Sequence, residues 1–568
     1  YNPDQCTFNN CPIESVIFGE KATRISENTF IGIKTLKNVV TPDNLEYIGS
    51  NAFSNTEFAA TQQPEYGMWY IGKTAYSYIP ESPGNNSIAI VDIPEGITGI
   101  SGNAFSRYSS LIKDGTCKPI SELTLPSTLK YIANTQFRDF QSERGKIIWK
   151  CKDIPQVIEE RTGTENTKYK YIFQNMLIDK LILPEGMETI PRQFFAGIKK
   201  INTVTLPSTL KEIEYEGFYD SEISNMTLPD NLEKIGGFAL MNGKMEELTI
   251  PNSTKYIEYR GIDLEYCRKL TMGENATSQA PIRINVEYPY LTELIWNAID
   301  LTPEKGFIPN AASYSKTNEN KIDVTFGDKV KVIPPSLLAG IKNELKISGG
   351  KSITTISERA FFGSIGLTAI DLPESLKSIH ENAFSKSGLE SIIIPQSVET
   401  MHPEAFAECP LEQVIVACPT PPADGAKLGY YANELVAPIV YVPDTEAYKS
   451  WLPAVSPMLK NGDYYLGDGL TENLQITSNI PGYQAETDYK FDVTTPGNFT
   501  ATIPVTFNGE KTFRTTVKYS YTINDGVSST TNAEIQHIKI SKIDNAIVIS
   551  GDYESVSVFD ISGKKIYE

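Results

Sequence analysis

Two histidines at equivalent positions of similar segments are the first residues in this sequence that could do chemistry. The chain has three histidines among 568 residues, and H-E-N-A-F from His380 matches H-P-E-A-F from His402. Because imidazole is a common metal ligand, two neighbouring histidines could hold a metal ion. The same position is Ser26, Gly49 and Glu214 in other segments, which is typical of a tolerant solvent position. We therefore expect no metal site here.

A glycine-rich segment, S-G-G-K-S at Ser348–Ser352, resembles the end of a phosphate-binding loop. Such a loop requires a glycine at its first position, and that position is Leu345 here. The sequence contains no HExxH, GxSxG or CxxC motif, and its carboxylates are scattered. These observations predict a protein that is not an enzyme and that uses no cofactor.

The seven cysteines favour a structural interpretation. C-P-I-E-S-V-I-F from Cys11 matches C-P-L-E-Q-V-I-V from Cys409. A cysteine repeated at one position is typical of a small buried core residue, because a free thiol packs as a hydrophobe. Local disulfides between Cys6 and Cys11, or between Cys409 and Cys418, remain open alternatives because spacing alone does not determine pairing.

An internal repeat must position all of these residues. V-T-L-P-S-T-L-K-E-I-E-Y-E-G-F begins at Val204, and similar lines begin at Leu181, Met226 and Leu248. Each line opens with an alternating strand that proline ends, and it closes with a large apolar residue such as Phe218. Since one coil cannot bury its own apolar face, the strands must pair in parallel between coils. We predict a mostly β, right-handed solenoid of about 17 coils, each of roughly 22–23 residues apart from insertions.

A different pattern follows the repeat. Alternation over Tyr489–Thr494 and Thr516–Thr522, with turns such as Asn508-Gly509, predicts a small antiparallel β-sandwich. We predict three regions: a solenoid with a terminal cap over 1–460, an Ig-like β-sandwich over 461–535 and a β-rich segment over 536–568.

Composition excludes several classes of partner. The formal net charge of −19 at pH 7 argues against nucleic acid, which requires a basic surface. No apolar run approaches the roughly 18 residues that a membrane-spanning helix needs. The chain starts at Tyr1 without a leader, so we expect a mature or trimmed product. We also expect a monomer.

The line from Leu389 to Phe406, with the pairs Ala52-Phe53 and Ala383-Phe384, resembles the BspA-like leucine-rich repeats. The later stretches C-P-T-P-P and Y-V-P-D-T-E-A-Y-K-S-W also resemble that family. The resemblance implies a bacterial protein that is secreted or displayed on the cell surface, in a family implicated in adhesion to host matrix and to other cells. The stretch from Ala546 onwards resembles part of a type IX secretion sorting module.

The strand face is the candidate binding surface, because the middle residue of each strand points away from the core. The predicted site residues are the outward threonines and their flanking neighbours: Glu122, Thr124, Thr203, Thr205, Asn225, Thr227, Glu247, Thr249, Lys269 and Thr271. We expect a row of hydroxyls bordered by acidic groups. Solenoids bind partners on such faces, although threonine also simply suits an exposed strand position.

These features predict a non-enzymatic surface or secreted adhesion protein. Its solenoid face and inserted loops would bind a protein partner such as host matrix. The alternative is a glycan-binding accessory protein of a polysaccharide-uptake system. Exposure of Trp69, Trp149 or Trp296 on one face would favour that alternative.

Overall fold

The computed structural model describes most of the chain. The described residues are 8, 11–82, 88–134, 137, 140–158, 172–262, 264, 266–278, 290–301, 321–429, 437–526, 538–543, 546–551, 558–559 and 565–567. They divide into two compact units. Unit 1 comprises Tyr1–Leu389 with Ala405–Cys409, and unit 2 comprises Glu390–Glu404 with Pro410–Glu568.

Short strands make up nearly all of the regular structure. The first strands are β1 (Ser15–Ile17), β2 (Arg24–Ile25), β3 (Asn38–Val40), β4 (Tyr47–Ile48), β5 (Gly67–Ile71), β6 (Thr74–Ile79), β7 (Ala89–Asp92), β8 (Gly99–Ile100), β9 (Ile120–Leu125), β10 (Tyr131–Ala133), β11 (Gln141–Trp149), β12 (Gln156–Ile158), β13 (Leu177–Ile182), β14 (Thr189–Ile190), β15 (Lys200–Thr205), β16 (Glu212–Ile213), β17 (Ile223–Met226), β18 (Lys234–Ile235), β19 (Glu247–Thr249), β20 (Tyr256–Ile257), β21 (Lys269–Met272) and β22 (Thr277–Ser278).

The later strands are β23 (Glu293–Trp296), β24 (Ile322–Phe326), β25 (Val332–Ile333), β26 (Leu345–Gly349), β27 (Thr355–Ile356), β28 (Ser378–Ile379), β29 (Ser391–Ile394), β30 (Thr400–Met401), β31 (Gln413–Val416), β32 (Ile439–Val442), β33 (Val455–Pro457), β34 (Gly462–Tyr465), β35 (Gln484–Glu486), β36 (Gly497–Asn508), β37 (Phe513–Asn524), β38 (Ile538–Ile543), β39 (Ala546–Gly551), β40 (Val558–Phe559) and β41 (Lys565–Tyr567). The helices are α1 (Glu57–Gln62), α2 (Ser106–Lys113) and a 3-10 turn at Leu466–Asp468. No helix among the described residues is long and apolar enough to cross a membrane.

Parallel pairing between successive coils confirms the predicted solenoid, which has about 16 turns. In unit 1, β17, β15, β13, β11, β9 and β7 lie side by side in that order. Leu123, Ile147, Leu181 and Val204 are in register across four of these strands, and all four are buried. The alternation read from the sequence therefore places one side chain of each strand in a continuous core.

A second row of two-residue strands forms the return side of each coil. In unit 1, β14, β16, β18, β20 and β22 pair in parallel. Ile190, Ile213, Ile235 and Ile257 share one register and are at most 1% exposed. The isoleucine that follows each proline thus closes the core opposite the longer strand.

Stacked phenylalanines form the predicted core spine. The rings of Phe137, Phe173, Phe195 and Phe218 stack in succession, with centroid separations of 5.4, 5.1 and 5.3 Å. Phe361, Phe384 and Phe406 continue the same motif elsewhere in unit 1: Phe384 lies 5.0 Å from Phe361 and 4.9 Å from Phe406. Each ring is buried by the coils on both sides of it.

Unit 2 joins the last coils to the C-terminal strands. β29, β31, β32 and β33 form a parallel sheet, and β34, β37, β36 and β35 form a second sheet. The outward-facing Ile393, Ile415 and Tyr441 pack in one apolar core with residues of the second sheet. The Thr515 hydroxyl also donates to the carbonyl of Ala417. The second sheet therefore covers the strand face of these coils.

The sheet of β34–β37 is partly different from the predicted pattern. β35, β36 and β37 are antiparallel, but β34 pairs with β37 in parallel. The described residues beyond it form the hairpins β38–β39 and β40–β41. The Ig-like assignment, the boundary at residue 460 and the sorting module remain predictions.

The first prediction concerns the phenylalanine spine. Replacing Phe195 by alanine should destabilise the protein by about 3–5 kcal/mol, because the site is closed by rings on both sides and cannot collapse. Urea unfolding followed by circular dichroism measures the effect. The Phe195→Leu variant is the matched control, since it keeps most of the buried volume and should unfold nearer to wild type. An alanine variant as stable as wild type would contradict the spine.

Candidate functional site

The predicted site residues lie on two separate sheets of unit 1. Glu122, Thr124, Thr203, Thr205, Asn225 and Thr227 belong to or follow strands of the sheet that ends at β17, whereas Glu247, Thr249, Lys269 and Thr271 lie on β19 and β21. Thr249 is in register with Thr271 and Glu247 with Lys269, and Thr203 pairs with Asn225. The predicted surface is thus divided between β17 and β19.

The row of hydroxyls is shorter than the sequence suggested. In register, Ile148 and Ile182 lie between Thr124 and Thr205. Thr124 is only 5% exposed, so its hydroxyl is not an accessible part of the face. The accessible run of threonines begins at Thr205.

The predicted acidic border is partly neutralised by lysines. The Lys146 ammonium lies 2.7 Å from the Glu122 carboxylate. The Lys269 ammonium lies 3.0 Å from Glu293 on the neighbouring strand. Two of the flanking carboxylates, Glu122 and Glu293, are therefore paired with lysines, and the flanking row presents less negative charge than expected.

A depression of about 600 Å³ brings together four of the predicted residues. Those four are Thr203, Thr205, Asn225 and Thr227; the remaining lining residues are Glu185, Val204, Leu206, Ser208, Met226, Leu228, Pro229, Asp230 and Asn231. Hydroxyl, amide and carboxylate groups surround a small apolar floor. Such a lining suits a ligand that is held by hydrogen bonds. We call this feature the strand-face depression.

Missing hydrogen bonds between coils explain the depression. On one side, the Leu183 N–H donates to the Thr205 carbonyl at 3.0 Å. On the other side, the Ile250 N–H donates to the Thr271 carbonyl at 2.8 Å. Among the described residues, neither the Leu206 nor the Leu228 N–H makes the equivalent bond to the next coil. Both residues line the depression, and the pairing of the longer strands is interrupted next to them, between β17 and β19.

Neighbouring side chains hold the polar lining in place. Ser208 donates its N–H and its hydroxyl to the Glu185 carboxylate, at 3.0 and 2.8 Å, and these bonds lower the pKa of Glu185. The Asn225 amide donates to the Asn202 carbonyl at 3.0 Å, and the Asn231 amide donates to the Ser208 carbonyl at 2.8 Å. Both asparagine side-chain oxygens are thereby oriented as acceptors.

The lining offers hydrogen-bonding groups to a ligand. The hydroxyls of Thr205 and Thr227 have no hydrogen-bond partner within the described part of the chain. The lining also holds the carboxylates of Glu185 and Asp230, and that of Glu185 accepts both hydrogen bonds from Ser208. Its chemistry is therefore that of hydrogen-bonded recognition.

His380 and His402 belong to the surface of the coils. His380 is exposed, and the Nδ1 of His402 accepts a hydrogen bond from the Glu404 N–H at 3.2 Å. Among the residues that the structure describes, no group of three histidine, cysteine or acidic side chains could hold a metal ion.

All four tryptophans of the chain are buried. Trp69 is 7% exposed, Trp149 1%, Trp296 0% and Trp451 1%. None of them can serve as a sugar-binding platform, because their ring faces pack inside the coils. Exposed tryptophans on one face would have favoured the glycan alternative, and no tryptophan is exposed.

A row of surface aromatic rings was missed at the level of sequence. Tyr215, Phe238 and Tyr259 lie in three successive coils; Phe238 is 5.7 Å from Tyr215 and 5.5 Å from Tyr259, with interplanar angles of 76° and 80°. The Arg192 guanidinium lies 4.5 Å from the Tyr215 ring, and that of Arg260 lies 5.9 Å from Phe238. We call Tyr215, Phe238 and Tyr259 the aromatic row.

The sequence did contain a signal for this row. Tyr215 and Tyr259 each lie two residues after the buried isoleucine of the return strand. Other coils have Glu27 or Ser50 at this position. Large aromatics at a solvent position are unusual, and a pair of them in nearby coils predicts a surface cluster.

The parallel strand pairs, the short return strands and the regular apolar spacing define a leucine-rich-repeat solenoid. The model of the BspA type leucine rich repeat region matches residues 4–142, 166–278 and 308–420, with six copies. The chain therefore belongs to the BspA-type leucine-rich-repeat family. No curated protein matches the chain.

Several solved structures are similar to this chain. A leucine-rich repeat protein from Bacteroides ovatus has 16% identity and a TM-score of 0.32, over 78% of this chain and 83% of that one. A leucine rich cell surface protein from Faecalibacterium prausnitzii has 17% identity and a TM-score of 0.22, over 53% and 89%. The pneumococcal vaccine antigen PcpA has 14% identity and a TM-score of 0.21, over 55% and 74%. At these scores the similarities carry no argument about a ligand.

The cysteines of the described chain are free thiols. Cys11 is exposed, whereas Cys117, Cys151, Cys267, Cys409 and Cys418 are buried. The alternative of a Cys409–Cys418 disulfide is therefore wrong for this structure. The Cys409 thiol lies 3.0 Å from the Phe384 carbonyl, and the Cys418 thiol lies 3.2 Å from that of Pro395. Cys6 lies outside the described residues.

The second prediction is the order in which these thiols react. Burial raises the pKa of Cys151 and Cys409 to about 11 and that of Cys267 to about 12. Since the thiolate is the nucleophile, iodoacetamide at pH 8 should label Cys11 in the native protein and these three only after unfolding. Mass spectrometry of tryptic peptides measures the labelling. Labelling of Cys267 in the native protein would contradict its burial. If Cys409 is not labelled in denaturant until a reductant is added, it forms a disulfide.

Proposed function

We propose that this chain is a non-enzymatic binding protein, exported or displayed on a bacterial surface, whose strand-face depression binds a protein partner such as host matrix. The observation that carries the proposal is the interruption of backbone pairing at Leu206 and Leu228. Backbone N–H groups there do not pair with the next coil. They lie beside threonine hydroxyls and asparagine oxygens in one opening.

An extended segment of a protein partner suits this lining. Its main chain offers alternating carbonyl and N–H groups, which could pair with the Leu206 and Leu228 N–H groups and with the side-chain oxygens of Asn225 and Asn231. Recognition by exposed backbone groups is a common way for a sheet to bind an extended peptide. The buried Met226 and Leu228 supply a small apolar floor for its side chains.

Membership of the BspA-type family supports a binding role in general terms. The net charge of −19 disfavours nucleic acid and anionic membrane as partners. The lining of hydroxyl, amide and carboxylate groups suits hydrogen-bonded binding, which is the basis of the non-enzymatic part of the proposal.

The third prediction tests the depression by replacing two threonines that occupy the same outward position in successive coils. Thr227 lines the depression, whereas Thr249 lies on the next coil outside it, and both are exposed. Thr227→Glu should weaken binding at least roughly tenfold, because it adds a carboxylate to a lining that already holds Glu185 and Asp230 and the partner would have to cover that charge. Thr249→Glu is the matched control and should bind like wild type.

The measurement is binding of each purified variant to immobilised fibronectin, laminin and collagen by surface plasmon resonance. If Thr227→Glu and Thr249→Glu lose affinity equally, the partner contacts the strand face outside the depression. No binding of the wild-type protein to any of these matrix proteins would remove host matrix as the partner.

A further inference from the structure

We propose that the aromatic row of Tyr215, Phe238 and Tyr259 is a second binding site, and that its ligand is a neutral oligosaccharide. The row lies beyond the return strands β16, β18 and β20, so it is separate from the strand-face depression. Tyr259 is 42% exposed, whereas Tyr215 and Phe238 are half-buried. Edge-to-face contacts join the three rings across three coils.

The backbone at Phe238 is the first argument for a role in binding. Phe238 has a φ of 56°, in the left-handed region. The equivalent residues of other coils share this φ: they are Asn28, Asn51 and Asn382 at 57°, 55° and 53°, and also Gln193, Glu216, Arg260, Ser336 and Arg359 at 54–60°. Phe238 is the aromatic residue of this set. Asparagine adopts this conformation readily, and a bulky ring does not. A strained residue retained against local preference is a reason to look for a function that needs its side chain.

Gly237 is the second argument. It occupies the position that is Tyr215 in the coil before and Tyr259 in the coil after. A Cβ atom at residue 237 would lie 3.3 Å from Cδ2 of Tyr215 and 3.4 Å from the carbonyl oxygen of Tyr259. Glycine therefore leaves the space that allows the three rings to assemble.

The charges around the row select a neutral ligand. The cations are Arg192 and Arg260, which lie near its rings. Two carboxylates belong to the same coils: Glu216 accepts a hydrogen bond from the Gln193 side chain, and Glu214 accepts one from the backbone N–H of Arg192 at 2.8 Å. Because both signs are present side by side, a strongly acidic or basic chain would meet repulsion wherever it lay.

An oligosaccharide matches both the rings and the mixed charges. The C–H face of a sugar ring is apolar and packs on an aromatic face, whereas its hydroxyls both donate and accept. Guanidinium groups offer only donors and ionised carboxylates only acceptors, so each charged neighbour can pair with a hydroxyl without charge repulsion. Small-molecule sites commonly combine aromatic walls with a few such polar groups.

The fourth prediction is tested on the full chain with an array of immobilised oligosaccharides. Neutral glucan, mannan, xylan and galactan fragments are printed beside acidic pectic and sulfated fragments, and calorimetry follows for any fragment bound. Tyr259→Ala should weaken binding of a neutral fragment by roughly tenfold, as expected for loss of an aromatic contact. Phe238→Asn should weaken it similarly while keeping or raising the melting temperature, because asparagine suits the left-handed backbone.

Two controls separate this proposal from general damage and from the strand-face site. Tyr66→Ala removes a tyrosine that is 48% exposed and lies outside the row, so neutral fragments should bind as to wild type. Thr227→Glu should leave oligosaccharide binding unchanged even where it abolishes binding to a protein. The proposal is overturned if wild type binds no neutral fragment, if it binds only acidic fragments, or if both row variants bind like wild type.

Discussion

No coil of this protein can bury its own apolar side, and the rest of the structure depends on that constraint. Leu181 and Val204 become core residues only because β13 and β15 lie side by side, with the two residues in register. The same holds for Phe195, whose ring is closed by Phe173 and Phe218. Stability is therefore distributed over the interfaces between neighbours, as is general for repeat proteins.

This constraint explains which features could be predicted from the sequence. A residue that must face the neighbouring coil repeats with the coil, so the buried strand position, the return isoleucine and the phenylalanine spine are visible as a periodic pattern. The burial of Trp149 and Trp296 follows the same rule, because each lies in register with core residues, Leu125 and Met272. Their exposure was the condition set for the glycan alternative, and their position in the repeat, rather than their residue type, decides that they are buried.

The candidate site was harder to predict because it depends on departures from the repeat. The depression exists where hydrogen bonds between coils are missing at Leu206 and Leu228, and nothing in V-T-L-P or M-T-L-P distinguishes these coils from their bonded neighbours. The ion pairs along the strand face depend on cross-strand register, which the sequence indicates only approximately. Thr124 was taken as exposed because of its position, yet it is buried.

The same coils carry both proposed surfaces, and their different chemistry follows from where each lies on the coil. Thr205 and Thr227 are on the longer strands, where backbone groups released from the ladder can contribute, so the depression is polar and its recognition depends on hydrogen bonds. Tyr215 and Phe238 lie after the return strands, at a corner where the backbone turns through left-handed residues such as Glu216. Side chains at this corner are free of the core's volume limits, so aromatic rings can assemble there at the cost of local strain. A solenoid can in this way offer binding sites for two unlike ligands on different sides of the same coils. The packing that holds the coils together does not change.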